Sequence, residues 1–314
     1  MCTAITTSSL DQHHFFARTM DLPTTTPWRP VYLPADSWWQ PSTDDAGQSL
    51  PFALLGGGRW TPGNHYLMGD AMNTAGLACA ELFFPIEAHY ASTPSAHHLN
   101  ITPQDFIYWA LLHDSIASVA ADLPTLRIVA EAWHQEDNWR PFHWVLTDRT
   151  GQTAILEPRD ETLTLTPAPL HVLTNTPNYP AHVKRLRQRL GHPEATSWPN
   201  LLSQIEAFNG ALPHTNLPTD RFQRTAVHLW QQAQPQDAKT AVNQLIALLD
   251  DVVIPRTLDR LTHHNLDYTH YEDVLDLTSL KMTFKSTRTQ QIHQVSLNNL
   301  QDRFPQQTIA LPFT

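Results

Sequence analysis

The sequence predicts an α+β fold in which two antiparallel sheets pack together with helices on their outer faces. Three observations predict it. Strand-like segments occupy both ends and the middle of the chain, and helical patterns fall in two blocks between them. The first twenty residues read as a β-hairpin, so the sheet begins antiparallel. No internal repeat, low-complexity tract or linker-like break interrupts this order, so the 314 residues are expected to form one domain over residues 2–314.

The elements follow from local chemistry. Cys2 to Thr7 is short and β-branched, Ser8 to Gln12 carries turn residues, and His14 to Met20 returns as a second strand. Leu22-Pro23 closes that strand, because proline cannot donate to a ladder. Val31 to Trp39 and Phe52 to Leu55 read as strands, with Gly56-Gly57-Gly58 expected to break the latter. Leu77 to Phe84 reads as a buried strand ended by Pro85. A helix is expected from Pro103 to Ala121, because Thr102 and Asp105 resemble a capping box and the apolar residues that follow keep the helical period. A second helix is expected over Leu126 to His134.

Strands return at Phe142 to Thr147 and Thr153 to Glu157 around a turn at Asp148 to Gly151, and again at Thr162 to Thr166 and Leu170 to Leu173. Helices are expected over Pro180–Leu190, Trp198–Phe208, Asp220–Gln234 and Ala238–Leu249. The chain closes with strands at Asp267–Asp276, Ser279–Ser286 and Gln291–Leu297.

Composition narrows the function. Apolar residues make up 41% of the chain, enough for a sizeable core. The formal net charge is −10, with no Lys/Arg cluster, which argues against a nucleic-acid partner. The pairs His13-His14, His97-His98 and His263-His264 are mostly neutral near pH 7. Two cysteines, Cys2 and Cys79, do not make a disulfide framework. Together with the lack of a secretory leader or a membrane-length apolar run, they predict a cytoplasmic protein with no membrane partner.

Position 2 then carries chemistry. Aminopeptidases remove methionine ahead of a small residue such as cysteine. Removal of Met1 leaves a thiol and an α-amine on Cys2, so one residue offers a nucleophile and a base that can be neutral near pH 7. From position alone, Cys2 is more often a small core residue. Its neighbours shift that balance. Arg18 and Asp21 return beside Cys2 on the same hairpin: Arg18 can stabilise a thiolate, and Asp21 can orient the amine. Residues three apart point to opposite faces of a regular strand, so both reach the site only if the strand bends near Met20. Asn175, just past a predicted strand end, can donate to the oxyanion of a tetrahedral intermediate.

These residues resemble the choloylglycine hydrolases, the family of bile salt hydrolases and penicillin V acylases. Met1 to Ile5 followed by Ala17-Arg18-Thr19-Met20-Asp21 carries the resemblance. Three further blocks agree in order: Gly69 to Leu77, Val172-Leu173-Thr174-Asn175-Thr176-Pro177, and Leu217-Pro218-Thr219-Asp220-Arg221-Phe222. The resemblance covers essentially the whole chain. It implies the four-layer αββα fold of Ntn hydrolases and hydrolysis of a linear amide C–N bond in a small-molecule substrate, without metal or organic cofactor. It implies Cys2, Arg18, Asp21, Asn175 and Arg221 as site residues and assembly as a homotetramer.

Two departures stand out. The block before Arg221 is shorter than the family's, so whether Arg221 reaches Cys2 is a question for the structure. Phe83 stands where bile salt hydrolases carry Asn and penicillin V acylases carry Tyr. Its side chain lacks a donor, but its backbone N–H can still join Asn175 at the oxyanion.

The wording of the Arg18 block reads closer to the acylase branch and predicts an aromatic acyl group ahead of a steroid. Trp28, Phe52, Trp60, Tyr66, Phe83 and Phe84 lie in segments that could border its pocket. Conjugated bile salts, N-acyl homoserine lactones and N-acyl amino acids are the alternative substrates. A catalytically silent member that binds acyl amides is the non-enzymatic alternative. Neither a Gly-x-Ser-x-Gly nucleophile motif, a His-Glu-x-x-His metal motif nor a phosphate loop is present.

Overall fold

The computed structural model describes residues 2–23, 27–43, 47–61, 63, 65–134, 139–160, 163–192, 197–262 and 266–312. Met1, Thr162 and the pair His263-His264 lie outside the described residues.

One sheet has six strands in the order Val172–Leu173, Thr3–Ser8, His14–Leu22, Tyr268–Asp276, Lys281–Ser286 and Ile292–Ser296. The expected N-terminal hairpin lies near its middle, with Thr3 opposite Thr19 and Ser8 opposite His14. The larger sheet has nine strands among the described residues and includes Leu54–Trp60, Asp70–Asn73, Ala78–Phe83, Phe142–Thr147 and Thr153–Leu156. Pairing within both sheets is antiparallel.

Alternation along the strands sorts the apolar residues into three layers. Ala4, Phe16 and Met20 meet Leu55, Met72, Ala80 and Val145 between the sheets. Cys79, Trp144 and Leu146 face Phe106, Ile107 and Val119 of the helices Phe106–Ala110 and Ile116–Asp122. Ile5, Phe15, Ala17 and Val274 face Ala241, Leu245, Leu248 and Leu249 of the helix Ala238–Asp250. The result is helix, sheet, sheet, helix, the αββα sandwich expected.

Several elements differ from expectation. Gly56-Gly57-Gly58 does not break its strand but lies inside Leu54–Trp60. Close approach explains it: a Cβ on Gly56 would sit 2.0 Å from the Asp70 carbonyl oxygen, and one on Gly57 2.1 Å from the Tyr271 hydroxyl. Glycine is what lets the neighbouring strand and the facing sheet come this near.

The long helix expected over 103–121 is interrupted. A 3₁₀ turn at Pro103–Asp105 leads into Phe106–Ala110, and a separate helix runs from Ile116 to Asp122. The Asn73 side-chain amide takes up the carbonyls of Leu111 and His113 at 3.0 and 2.7 Å, and Ser115 caps the new helix. Leu126 to His134 holds no helix. Leu126–Ile128 is instead a strand parallel to Leu99–Ile101.

Val31 to Trp39 divides into Arg29–Leu33 and Trp38–Trp39. The strand expected to end at Leu297 stops at Ser296, whose hydroxyl caps the helix Leu297–Arg303.

Candidate active site

The hairpin brings Cys2, Arg18 and Asp21 together, as its register requires. Cys2 precedes the first paired residue Thr3, and its Sγ lies 3.8 Å from the Asp21 carbonyl oxygen. An irregularity does lie beside Met20, not in the hairpin strand, which runs unbroken from His14 to Leu22, but in the partner strand. There Thr269 opposes Asp21 and Tyr271 opposes Met20, so His270 is the extra residue of a β-bulge. A bulge adds local twist, and it re-aims side chains beside it.

Asp21 is fully buried. Its Oδ1 accepts from the Thr269 hydroxyl at 2.6 Å and its Oδ2 from the Thr19 hydroxyl at 3.4 Å. Burial pushes its pKa up, against the pull of the Arg221 charge and of the Thr269 hydrogen bond.

Arg18 is also fully buried, between the sheets. Its guanidinium donates to the Gly69 carbonyl and to Thr19 O, and stands 3.5 Å from Asp70 Oδ2. Burial alone would lower its pKa, but the neighbouring acidic groups of Cys2, Tyr271, Asp70 and Asp273 outweigh it, and Arg18 stays charged.

These partners escape a reading of the sequence alone. Asp70 also accepts from the Gly57 N–H at 2.9 Å and from the Tyr271 hydroxyl. Asp273 sits directly across the ladder from Arg18, and its carboxyl is held well above the usual range by burial and by Asp70. No sequence signal separates such buried carboxyls from surface charges. Pairing register is what gathers them.

Asn175 follows the strand Val172–Leu173, which is the other neighbour of Thr3–Ser8. That pairing carries Asn175 to the end of the hairpin occupied by Cys2. The Cys2 N–H donates to Asn175 Oδ1 at 2.5 Å across 173 positions of sequence.

Arg221 lies on the helix Pro218–Gln231, fully buried. Its Nη1 donates to the Cys2 carbonyl at 2.7 Å and to the Thr3 hydroxyl at 2.6 Å, while Nη2 donates to Asn175 Oδ1 at 2.9 Å. The short block before it does not keep Arg221 from Cys2. Burial lowers its pKa, opposed by Asp21 and Cys2, and guanidinium remains charged at any working pH.

The Asn175 Nδ2 donates to the Phe83 carbonyl at 2.8 Å. The amide orientation is therefore chemically determined: two donors meet the oxygen and an acceptor meets the nitrogen. Phe83 opposes Phe142, and the Phe84 N–H bonds the Pro141 carbonyl. In an antiparallel ladder that makes Phe83 and Phe142 a non-hydrogen-bonded pair. Both polar groups of Phe83 then point away from Phe142, and its carbonyl meets the Asn175 amide.

The aromatics divide. Phe84 is fully buried and stacks on His143 at 4.3 Å. Trp28 packs into the inter-sheet core against Tyr271. Trp60 is half exposed, edge-on to Tyr66 at 4.7 Å. Among the described residues no group of three or more His, Cys, Asp or Glu side chains could hold a metal ion. No described helix is long and apolar enough to cross a membrane.

The two packed antiparallel sheets flanked by helices are the sandwich of Ntn hydrolases. The sequence profile of the linear amide C–N hydrolases, choloylglycine hydrolase family, matches residues 2–304, and the chain belongs to that family.

A bile salt hydrolase/transferase of Clostridium perfringens (strain 13 / Type A) is 26% identical over 308 residues, 95% of this chain and 93% of the relative. The crystal structure of a variant of conjugated bile acid hydrolase from Clostridium perfringens matches with a TM-score of 0.84 at 22% identity, over 100% of this chain and 97% of that one. Penicillin V acylase from Agrobacterium tumefaciens matches with a TM-score of 0.74 at 18% identity, over 95% of this chain and 86% of that one.

Proposed function

We propose that the protein hydrolyses a linear amide through a thioester on Cys2, formed after Met1 is removed. The observation that carries this reading is the junction at Cys2. Its nitrogen meets Asn175 Oδ1 at 2.5 Å, and Arg221 spans its carbonyl and the same Asn175 oxygen.

With Met1 gone, that nitrogen is an α-amine. It takes the thiol proton, and Sγ attacks the substrate carbonyl carbon. The oxyanion is received by the second Asn175 Nδ2–H and the Phe83 N–H, two fixed donors in a buried setting. The C–N bond then breaks, and the amine departs with the proton. Water hydrolyses the thioester, releasing the carboxylic acid and the free thiol. Arg18 supplies the positive potential beneath the sulfur, Asp21 orients the amine, and Arg221 holds Cys2 and Asn175 in register.

For the acyl group, the reading is penicillin V acylase-like, with an aromatic acyl amide as the substrate. Phe83 supports it, keeping an aromatic ring at the position where the acylases carry Tyr. The second reading is a bile salt hydrolase, favoured by the relative named for bile salts over nearly the whole chain. N-acyl homoserine lactones and N-acyl amino acids follow. The same proposal has the enzyme act in the cytoplasm, in keeping with its free cysteines Cys2 and Cys79. Its assembly as a homotetramer rests on the family resemblance.

A rate panel with penicillin V, glycocholate, an N-acyl homoserine lactone and an N-acyl amino acid tests the proposal. Penicillin V is expected to lead, and Cys2→Ala to abolish hydrolysis. A bile-salt preference of about tenfold, some 1.4 kcal/mol of transition-state binding, reverses the substrate order. A protein that cleaves none of the four is the silent acyl-amide binder.

A further inference from the structure

His182 belongs to none of the roles above, yet its ring touches both ends of the junction at Cys2. It lies on the helix Tyr179–Arg189 and is fully buried. Nε2 is 2.7 Å from the Asn175 main-chain oxygen and 3.2 Å from the Thr174 hydroxyl. One face of the ring stacks on Phe222, with centroids 4.7 Å apart and planes 17° from parallel. Phe222 is the residue after Arg221 on the helix Pro218–Gln231.

The chemistry fixes the state of this ring. A carbonyl oxygen only accepts, so Nε2 carries the proton. The Thr174 hydroxyl gives its own proton to the Pro218 carbonyl at 3.0 Å, so towards His182 it too accepts. Nδ1 is buried and meets no hydrogen-bond partner among the described residues, so a second proton there would be stranded. Burial pushes the His182 pKa down to about 3, with the neighbouring His143, Arg221 and Arg185 acting in the same direction and the Asn175 carbonyl against it.

We propose that His182 is a positioning residue, a neutral clasp that holds the Asn175 main chain by its Nε2–H and the Arg221 helix by its ring face. Thr174 closes the clasp, since its hydroxyl joins the strand end to the first residue of that helix. The clasp accounts for how Arg221 reaches Cys2 from a short preceding block: the helix is located by its packing on His182 and by Thr174. The proposal rests on the reading that Asn175 serves amide hydrolysis at Cys2.

His182→Phe tests it, because phenylalanine keeps the stack and removes the donor. Relative to the parent, kcat for the best substrate of the panel is expected to fall about tenfold with KM changed by less than about twofold, as for a misplaced catalytic group. In an Asn175→Ala background the same substitution is expected to cost little more, because its effect passes through Asn175. Parental kcat in His182→Phe, or a loss that multiplies in full in the Asn175→Ala background, overturns the proposal.

Nitrogen-15 histidine spectra of the unsubstituted protein give a second measurement that needs no variant. They are expected to show the Nε2–H tautomer, with no protonation between about pH 8 and pH 5, whereas an ordinary histidine titrates near 6.5. A titration in that window, or the Nδ1–H tautomer, overturns the proposal. A parent protein that cleaves no amide defeats the functional reading, and the spectra still decide the state of His182.

Discussion

Arg221 and Asn175 meet through a single hydrogen bond, Nη2 to Oδ1 at 2.9 Å, although 46 positions separate them in sequence. The same guanidinium holds the Cys2 carbonyl, and the same Asn175 oxygen holds the Cys2 nitrogen. Three segments far apart in the chain are thereby tied to one atom group. Losing any one corner leaves the other two buried polar groups short of a partner, which is more costly than never having had it.

Asn175→Ala removes the Oδ1 acceptor and the Nδ2 donor together. The expected loss in kcat is about 10²–10³-fold, the cost of one oxyanion donor, with a near-parental circular dichroism spectrum. Steady-state kinetics on the preferred amide checks it, and a loss below about tenfold removes Asn175 from the chemistry.

Arg221→Lys keeps the charge but not the fork. A lysine ammonium cannot meet Cys2 O, Thr3 Oγ1 and Asn175 Oδ1 in one plane. The expected outcome is a fall in kcat/KM of about 10²-fold, the cost of misplacing a reacting group by roughly 1 Å. Retained activity indicates that the three contacts do not need planar geometry.

Gly57→Ala tests the packing beneath Arg18. Its new Cβ would lie 2.1 Å from the Tyr271 hydroxyl, which itself donates to Asp70. Overpacking of this kind is expected to cost about 1–3 kcal/mol, measured by denaturant titration. It is also expected to lower activity by displacing Asp70 from Arg18. An unchanged midpoint indicates that the two sheets can part here without penalty.

Stability is expected to depend on Glu272. Burial raises its pKa from 4.5 to about 7, with Asp250 adding to the rise and Lys285 opposing it. A carboxyl raised in the folded state contributes stability below its unfolded pKa and loses it as pH climbs through the folded one. The melting temperature should therefore decline between about pH 4.5 and 7, and Glu272→Gln should remove part of that decline. Identical slopes for the two proteins contradict the assignment.

The local parts of this architecture were legible in the residues. Cys2 to Thr7 and His14 to Met20 announce a hairpin through β-branching and turn chemistry, and that hairpin brings Arg18 and Asp21 back towards Cys2. Asn175 is legible because it lies just past a predicted strand end, whereas the pairing of that strand with the first is seen only in the structure. Two of the elements that differ from expectation show why the rest was not. Gly56-Gly57-Gly58 looks like a break because glycine weakens a strand, yet here it admits Asp70 and Tyr271. The apolar residues of Leu126 to His134 suit a helix as well as a strand, and pairing with Leu99–Ile101 decides between them. The roles of Asp70, Asp273, Tyr271 and His182 were out of reach, because each is created by register or by helix packing across long separations.

The central claim is that Cys2 becomes the N-terminal residue and carries the acyl group. Mass spectrometry of the protein, acid-quenched during turnover of penicillin V and then digested, tests it most directly. The account predicts a chain lacking Met1, with the phenoxyacetyl mass on the peptide that begins at Cys2. Hydrolysis by a chain that retains Met1, or an acyl group found on any other residue, would contradict it.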